Sequence, residues 1–423
     1  MTTAFDDLDR ATLALLVREY LLCGHLIDRA AMPFVFGALG IEGMRDVAID
    51  EWMGASPIYT RRMRRALDFD GDDVETIFKG MQLDIGAPPQ FMDFRYRVID
   101  AKHGEFQLAH CGALMDVEPM GEAFVVTMCH HIEDPTFDAT AAATNPRARM
   151  RPMHRPPRAP VDRLPHCLWT VTIDDDAEPL KEPERAQRVA ASRAAGLDLD
   201  QASLGVGPDL PRDTGVIPGQ DPVAGEGRSD YRGPLENDLR FESFSKPTLI
   251  LLLREIALQG HLLTLAFTDS LQSRIDEAKA REIAVQRFTG IAGVAAQRLK
   301  RALGLGSDRA SLVKVLELHP AFHPREYVDV RVSPDLEISL HDCAGIGDRP
   351  GLSWAELLAS GETGPLDAIV QGLDARARCI PREPSSSALR VWDIEISSTD
   401  APEKPEVSVA KISTGPAFSF ESR

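Results

Sequence analysis

The sequence predicts an α+β protein made of two copies of one unit, each a helical N-terminal part packed on a small antiparallel sheet, the copies related by a pseudo-two-fold axis. Three observations predict it. The chain matches itself when displaced by 236 positions. Stretches with apolar residues at helical spacing are followed by stretches alternating with period two. Finally, 423 residues, 43% hydrophobic and 26% charged, exceed one ordinary core.

The self-match sets Phe5 on Phe241, Arg18-Glu19 on Arg254-Glu255 and Gly24-His25-Leu26 on Gly260-His261-Leu262. It continues through Gly54 on Gly290, Arg62 on Arg298, and Asp93 and Arg95 on Asp329 and Arg331. A short deletion then reduces the displacement to 232, so that Cys111 falls on Cys343, and further on Trp169 meets Trp392. The reading gives a first repeat over 5–177, a connector over 178–240, a second repeat over 241–398 and a tail over 399–423. The connector reads as a short polar helix near 182–191 followed by a surface-draped stretch rich in Gly, Pro and Asp. The tail is expected to extend away from the second repeat.

In the first repeat, Asp9 caps a helix to about Ala31, its side-chain oxygen accepting free amide hydrogens of the first turn, and Pro33 stops it. Further helices are expected over 42–55 and 61–67, and from Asp72-Asp73, where Val74, Ile77 and Phe78 turn inward. Met92, Phe94, Tyr96 and Val98 then alternate with Asp93, Arg95 and Arg97, and Glu105–His110 returns as the second strand of a hairpin. Ala123–Ile132 is apolar and suits either a strand or a buried helix, and Leu168–Ile173 reads as a strand. The second repeat offers the matching helix over Ser245–Thr268, with Ser245 at the cap, and alternation through Val328, Val330 and Val332.

A formal charge of −18 argues against phosphate-rich partners, so neither nucleic acid nor an anionic membrane is expected. No continuous run of about 18 apolar residues is present, which predicts no transmembrane helix. The acidic start lacks the features of a signal peptide, and six scattered cysteines do not resemble a secreted disulfide framework, so a cytoplasmic protein with free thiols is expected. A homo-oligomer is left open.

Chemistry-bearing residues concentrate in the first repeat: His110 and Cys111, then Glu118, then Cys129-His130-His131 with Glu133 and Asp134. Thiols, imidazoles and carboxylates of this kind supply nucleophiles, bases and metal ligands. Opposite Cys129-His130-His131 the second repeat has Leu358-Ala359-Ser360, so the polar trio is one-sided. His25 and His261 read as core histidines held by hydrogen bonds. The expected reaction uses Cys129 or Cys111 as nucleophile, activated by His131, which shares a strand face with Cys129, or by His110. Glu133 or Asp134 orients the imidazole, Glu118 is an alternative acid or base, and Arg147 and Arg149 hold a substrate carboxylate. No cofactor is required, with zinc on Cys111, Cys129, His131 and Glu118 as the alternative. A non-enzymatic binder of an apolar or acyl ligand is the other class, suggested by Met44, Trp52, Met53, Met115, Met120 and Met128.

From Phe94 to Asp138 the layout resembles the L-2-amino-thiazoline-4-carboxylic acid hydrolase family, through His110-Cys111-Gly112 and Cys129 followed by Glu133 and Asp134. The resemblance implies a cysteine-dependent hydrolase opening a small, carboxylate-bearing ring at a C–N or C–S bond. The chain departs from the family in being doubled and in placing Asp93-Phe94-Arg95 before the first cysteine.

Overall fold

The computed structural model describes residues 4–199, 227–384 and 387–411. The protein is α+β with two separate four-stranded antiparallel sheets. Helix α1 (Arg10–Ala66) opens the chain, capped by Asp9, whose carboxylate accepts from the Thr12 amide at 2.7 Å. Pro33 does not end it. The break falls at Gly40, which at φ +70° adopts a backbone that a side chain would strain, so the expected helices join into one kinked element. Helix α2 (Val74–Gln82) starts at its Asp73 cap and buries Val74, Ile77 and Phe78 as expected.

Strands β1 (Met92–Val98) and β2 (His103–Cys111) form the expected hairpin. The Ala123–Ile132 region is helical: α3 (Gly112–Val117), α4 (Glu122–Val126), one wide π turn over Thr127–Ile132, and α5 (Glu133–Ala142) follow in succession. Strand β3 (Ala148–His154), not expected as a strand from the sequence, and β4 (Cys167–Ile173) complete the sheet in the order β1-β2-β4-β3. Phe106, Met150, Trp169 and Val171 point from this sheet into the core.

The connector is not simply draped over the surface. Helices α6 (Glu184–Ala190) and α7 (Arg193–Gly196) bury Ala186, Val189 and Ala194 completely. The Gly- and Pro-rich stretch lies largely outside the described residues. Helix α8 (Lys246–Gln272), capped by Ser245 as expected, is apolar on nearly every side and runs through the centre against α1. Helices α9 (Glu277–Ala302) and α10 (Arg309–Glu317) follow, then β5 (Val330–Val332) and β6 (Glu337–Leu340). Helices α11 (Trp354–Ala359) and α12 (Gly364–Gln371) lead to β7 (Ala377–Arg382) and β8 (Arg390–Ile396), giving a second sheet ordered β5-β6-β8-β7. The tail does not extend away: α13 (Pro405–Ala410) buries Val407 and Ala410 and packs on α9 and α1.

Helices α1 and α8 are each long and apolar enough to cross a membrane by length and composition, unlike the sequence expectation. Here the apolar window of α8 is wholly enclosed by the fold, and that of α1 mostly so. Gly24 lets α1 approach the loop after α2, since a Cβ there would sit 2.4 Å from Ile85 Cγ2. Buried ion pairs tie the two parts of the chain together. Arg62 grips Glu255 with two bonds of 2.9 and 2.8 Å, and Arg298 grips Glu19 with two of 2.6 and 2.9 Å. Between them Arg287 donates to Glu51, both side chains being 0% exposed.

Candidate functional site

The structure brings Cys111, Cys129 and Glu133 near one another but without the imidazole that the expected thiol site needs. Cys129 is 3% exposed and Cys111 5% exposed, and both belong to the apolar core. The Cys111 sulfur accepts from the Leu114 amide at 3.3 Å, capping α3, and touches Met92 Sδ at 3.7 Å. No hydrogen bond joins either thiol to an imidazole among the described residues. His131 was expected to share a strand face with Cys129. The π turn instead sends Cys129 inward and His131 to solvent, while His130 Nε2 lies 2.7 Å from the Pro156 carbonyl. Burial pushes the Cys111 thiol up to about 12, with the nearby Glu133 carboxyl adding to it, and the same two causes raise Cys129. Nucleophilic cysteines need the opposite shift.

The other expected residues are committed elsewhere. Glu118 forms a two-pronged pair with Arg158 at 3.0 and 2.9 Å, and Asp134 pairs with Arg155. Arg147 and Arg149 bond backbone carbonyls, Arg147 that of Asp175 at 3.0 Å and Arg149 that of Glu178 at 2.6 Å, stitching the start of β3 to the segment after β4. His110 lies beside His166 with ring centroids 5.7 Å apart, and burial lowers the pKa of both. Among the described residues no group of three or more His, Cys, Asp or Glu is placed to hold a metal ion, so Cys111, Cys129, His131 and Glu118 do not gather as ligands.

One expected residue, Glu133, opens into a chamber of about 360 Å³. That volume lies in the range of small-molecule pockets. Its walls are methionines and aromatic rings: Met32, Met44, Met81, Met92 and Met128 with Trp52, Phe94, Phe124 and Phe137. Phe36 and Met120, both exposed, stand at its edge, and Phe36 packs on Phe124 with centroids 5.6 Å apart. The π turn contributes Thr127, Met128 and Ile132 to the wall, and Val409 of α13 reaches in from the far end of the chain.

One helix face supplies a cluster of the polar lining. His25, Asp28 and Arg29 stand at i, i+3 and i+4 on α1, spacings that bring side chains together. His25 is 5% exposed, and neither ring nitrogen reaches a hydrogen-bond partner, although the Ile85 backbone favours its charged form. Burial pulls its pKa down to about 3, so the ring is neutral. Asp28, also 5% exposed, takes a hydrogen bond from Trp52 but leaves Oδ1 without a partner, and burial raises its pKa. Arg29 sits 3.8 Å from Asp28 and donates to Met128 Sδ at 3.5 Å, with Nε unpartnered. Opposite them, burial pushes Glu133 up to about 8, against the opposing pull of Arg155 and Arg29. Asp84, raised to about 6 by burial, is already satisfied by the Gly86 amide at 2.7 Å and the Tyr59 hydroxyl at 2.8 Å.

His25 was read as a hydrogen-bonded core histidine. That description suits His261, whose Nε2 lies 2.9 Å from the His323 carbonyl, but not His25. The signal for the chamber was present in the self-match: the displacement that sets His25 on His261 sets Asp28-Arg29 against Thr264-Leu265.

No protein-family model matches the chain, and no curated protein or solved structure matches it either.

Proposed function

We propose that the chain is a duplicated α+β unit whose first copy holds a binding chamber for a small apolar molecule, while the second copy is a filled counterpart that braces it. The observation that carries the binding reading is the chamber itself: an apolar cavity of about 360 Å³ lined by His25, Asp28 and Arg29, each of which carries a buried polar atom without a hydrogen-bond partner. Leaving such groups unpaired costs about 1–3 kcal/mol each, a cost a ligand can relieve. Burial of Cys111 and Cys129, and the lack among the described residues of an imidazole hydrogen-bonded to either, favour binding over thiol hydrolysis.

Support for duplication comes from the identical strand order of the two sheets and from reciprocal ion pairs. Arg62–Glu255 and Arg298–Glu19 exchange partners under the same displacement of 236, as residues do across an isologous interface. The same displacement sets Glu51 on Arg287, and a contact between such a pair is what a pseudo-two-fold axis would produce. In the second copy Trp354 stacks on Phe288 at 4.8 Å and meets His261 edge-on at 5.1 Å, packing against the histidine.

The test is binding of a neutral apolar dye such as Nile red to the full chain, read by its emission and by quenching of Trp52. Ala48 lines the chamber and is 3% exposed. Ala48→Phe is expected to fill the space and weaken binding more than about tenfold, equivalent to about 1.4 kcal/mol. Saturable binding that is unchanged in Ala48→Phe places the dye elsewhere and removes the reading.

A further inference from the structure

Resting on the chamber reading, the geometry points to the ligand's polar end: we infer that the chamber selects an uncharged, amide-like head group, a carbonyl and an N–H on one carbon, carried on an apolar body. Asp28 Oδ1 is a buried acceptor with nothing to accept, and Arg29 Nε is a donor with nothing to donate to. The two residues are adjacent on α1, with Nε and the other Asp28 oxygen 3.8 Å apart. A ligand bridging them has to offer an acceptor to Arg29 and a donor to Asp28 at once, which an amide does.

Charged heads meet opposition from one side or the other. A carboxylate facing Arg29 also faces Asp28, with Asp84 and Asp116 lining the same chamber, and an ammonium facing Asp28 also faces Arg29, both in an apolar surround that strengthens like-charge repulsion. A lone hydroxyl has to make both bonds from a single oxygen, whereas an amide makes them from two atoms. The neutral His25 ring adds one N–H and one acceptor nitrogen, and its tautomer can follow the ligand. Arg287 steadies the arrangement from behind: it donates to the Ile27 carbonyl at 3.2 Å and its charge acts on Asp28.

The experiment titrates the full chain calorimetrically with a matched set of probes: octanamide, octanoate, octan-1-ol and octylamine. Octanamide is expected to bind at least about tenfold tighter than octanoate and octylamine, and several-fold tighter than octan-1-ol. Asp28→Asn is expected to shrink the octanoate penalty to under about threefold, and Arg29→Met to bring octanamide down to the level of octan-1-ol. Equal binding of all four, or tighter binding of either charged probe, overturns the head-group assignment while leaving the chamber in place. Failure of all four to bind a chain that melts cooperatively overturns the assignment and the chamber reading together. The comparison on the unsubstituted chain decides the matter even if a variant does not fold.

Discussion

Replacing the fully buried Glu51 and Arg287 one at a time and together tests whether the two parts of the chain are joined through a dry ionic contact. The Arg287 guanidinium lies 3.9 Å above the Phe267 ring centroid, donates to Glu51 and the Ile27 carbonyl, and leaves Nη1 and Glu51 Oε2 without partners. Removing one member of such a pair costs about 3–5 kcal/mol, because the survivor is a stranded charge. The two single replacements are not equivalent. Burial already raises the Glu51 carboxyl, so in Arg287→Met it can take up a proton and become neutral. The guanidinium has no such escape, so Glu51→Leu is the more damaging change. A 423-residue chain unfolding as one unit has an unfolding entropy of about 0.9 kcal/mol/K. Glu51→Leu should therefore lower Tm by about 3–6 °C, with Arg287→Met lowering it less. The double variant Glu51→Leu/Arg287→Met should return to within about 1 °C of the parent, since a buried pair can be exchanged for apolar residues at little cost. Differential scanning calorimetry on the four proteins completes the cycle. Single variants that each melt within about 1 °C of the parent, or a double variant as low as the sum of the two, would refute the reasoning.

Two further outcomes follow from the titrating groups of the first sheet and its helices. Iodoacetamide labelling of the native chain at pH 8, read by peptide mass spectrometry, should modify the half-buried Cys343 first and spare Cys111 and Cys129 until the chain unfolds; rapid native labelling of Cys129 would restore the nucleophile reading. For Glu133 the folded carboxyl titrates near 8 against 4.5 for an ordinary glutamate, so its contribution to stability is complete below about pH 4.5 and is lost as pH rises through about 8. Glu133→Gln should flatten the fall in Tm between pH 5 and 9, and an unaltered slope would mean that this carboxyl is solvated.

Much of the fold was legible because it is written in local chemistry. Asp9, Asp73 and Ser245 each precede an apolar periodic run and each caps a helix, and the alternation through Met92–Val98 needs only its neighbouring strand. Pro33 misled because a proline's cost inside a helix is set against the burial of the surrounding turns, whereas Gly40, with its positive φ, marks the true break. In α6 and α13 a few small apolar residues dock on longer helices, a signal too short to stand out from a polar segment. The dense run from His110 to Asp134 drew attention as a site, yet only Cys111, Cys129 and Glu133 of its expected members come together, and the imidazoles do not join them. Cys129 and His131 fall on opposite sides of a helical segment, and of the residues expected to do chemistry in that run only Glu133 lines the chamber. Asp28 and Arg29 were hidden inside an apolar helix and recoverable only by asking what stands at their counterparts.

Because Val409 forms part of the chamber wall, the pocket depends on residues separated by nearly the whole length of the polypeptide. During synthesis the face of α1 bearing His25 emerges early, and the segment that finishes the enclosure emerges hundreds of residues later. The cleft therefore stays unfinished and greasy in a nascent chain until α13 docks, open meanwhile to whatever hydrophobic compound is at hand.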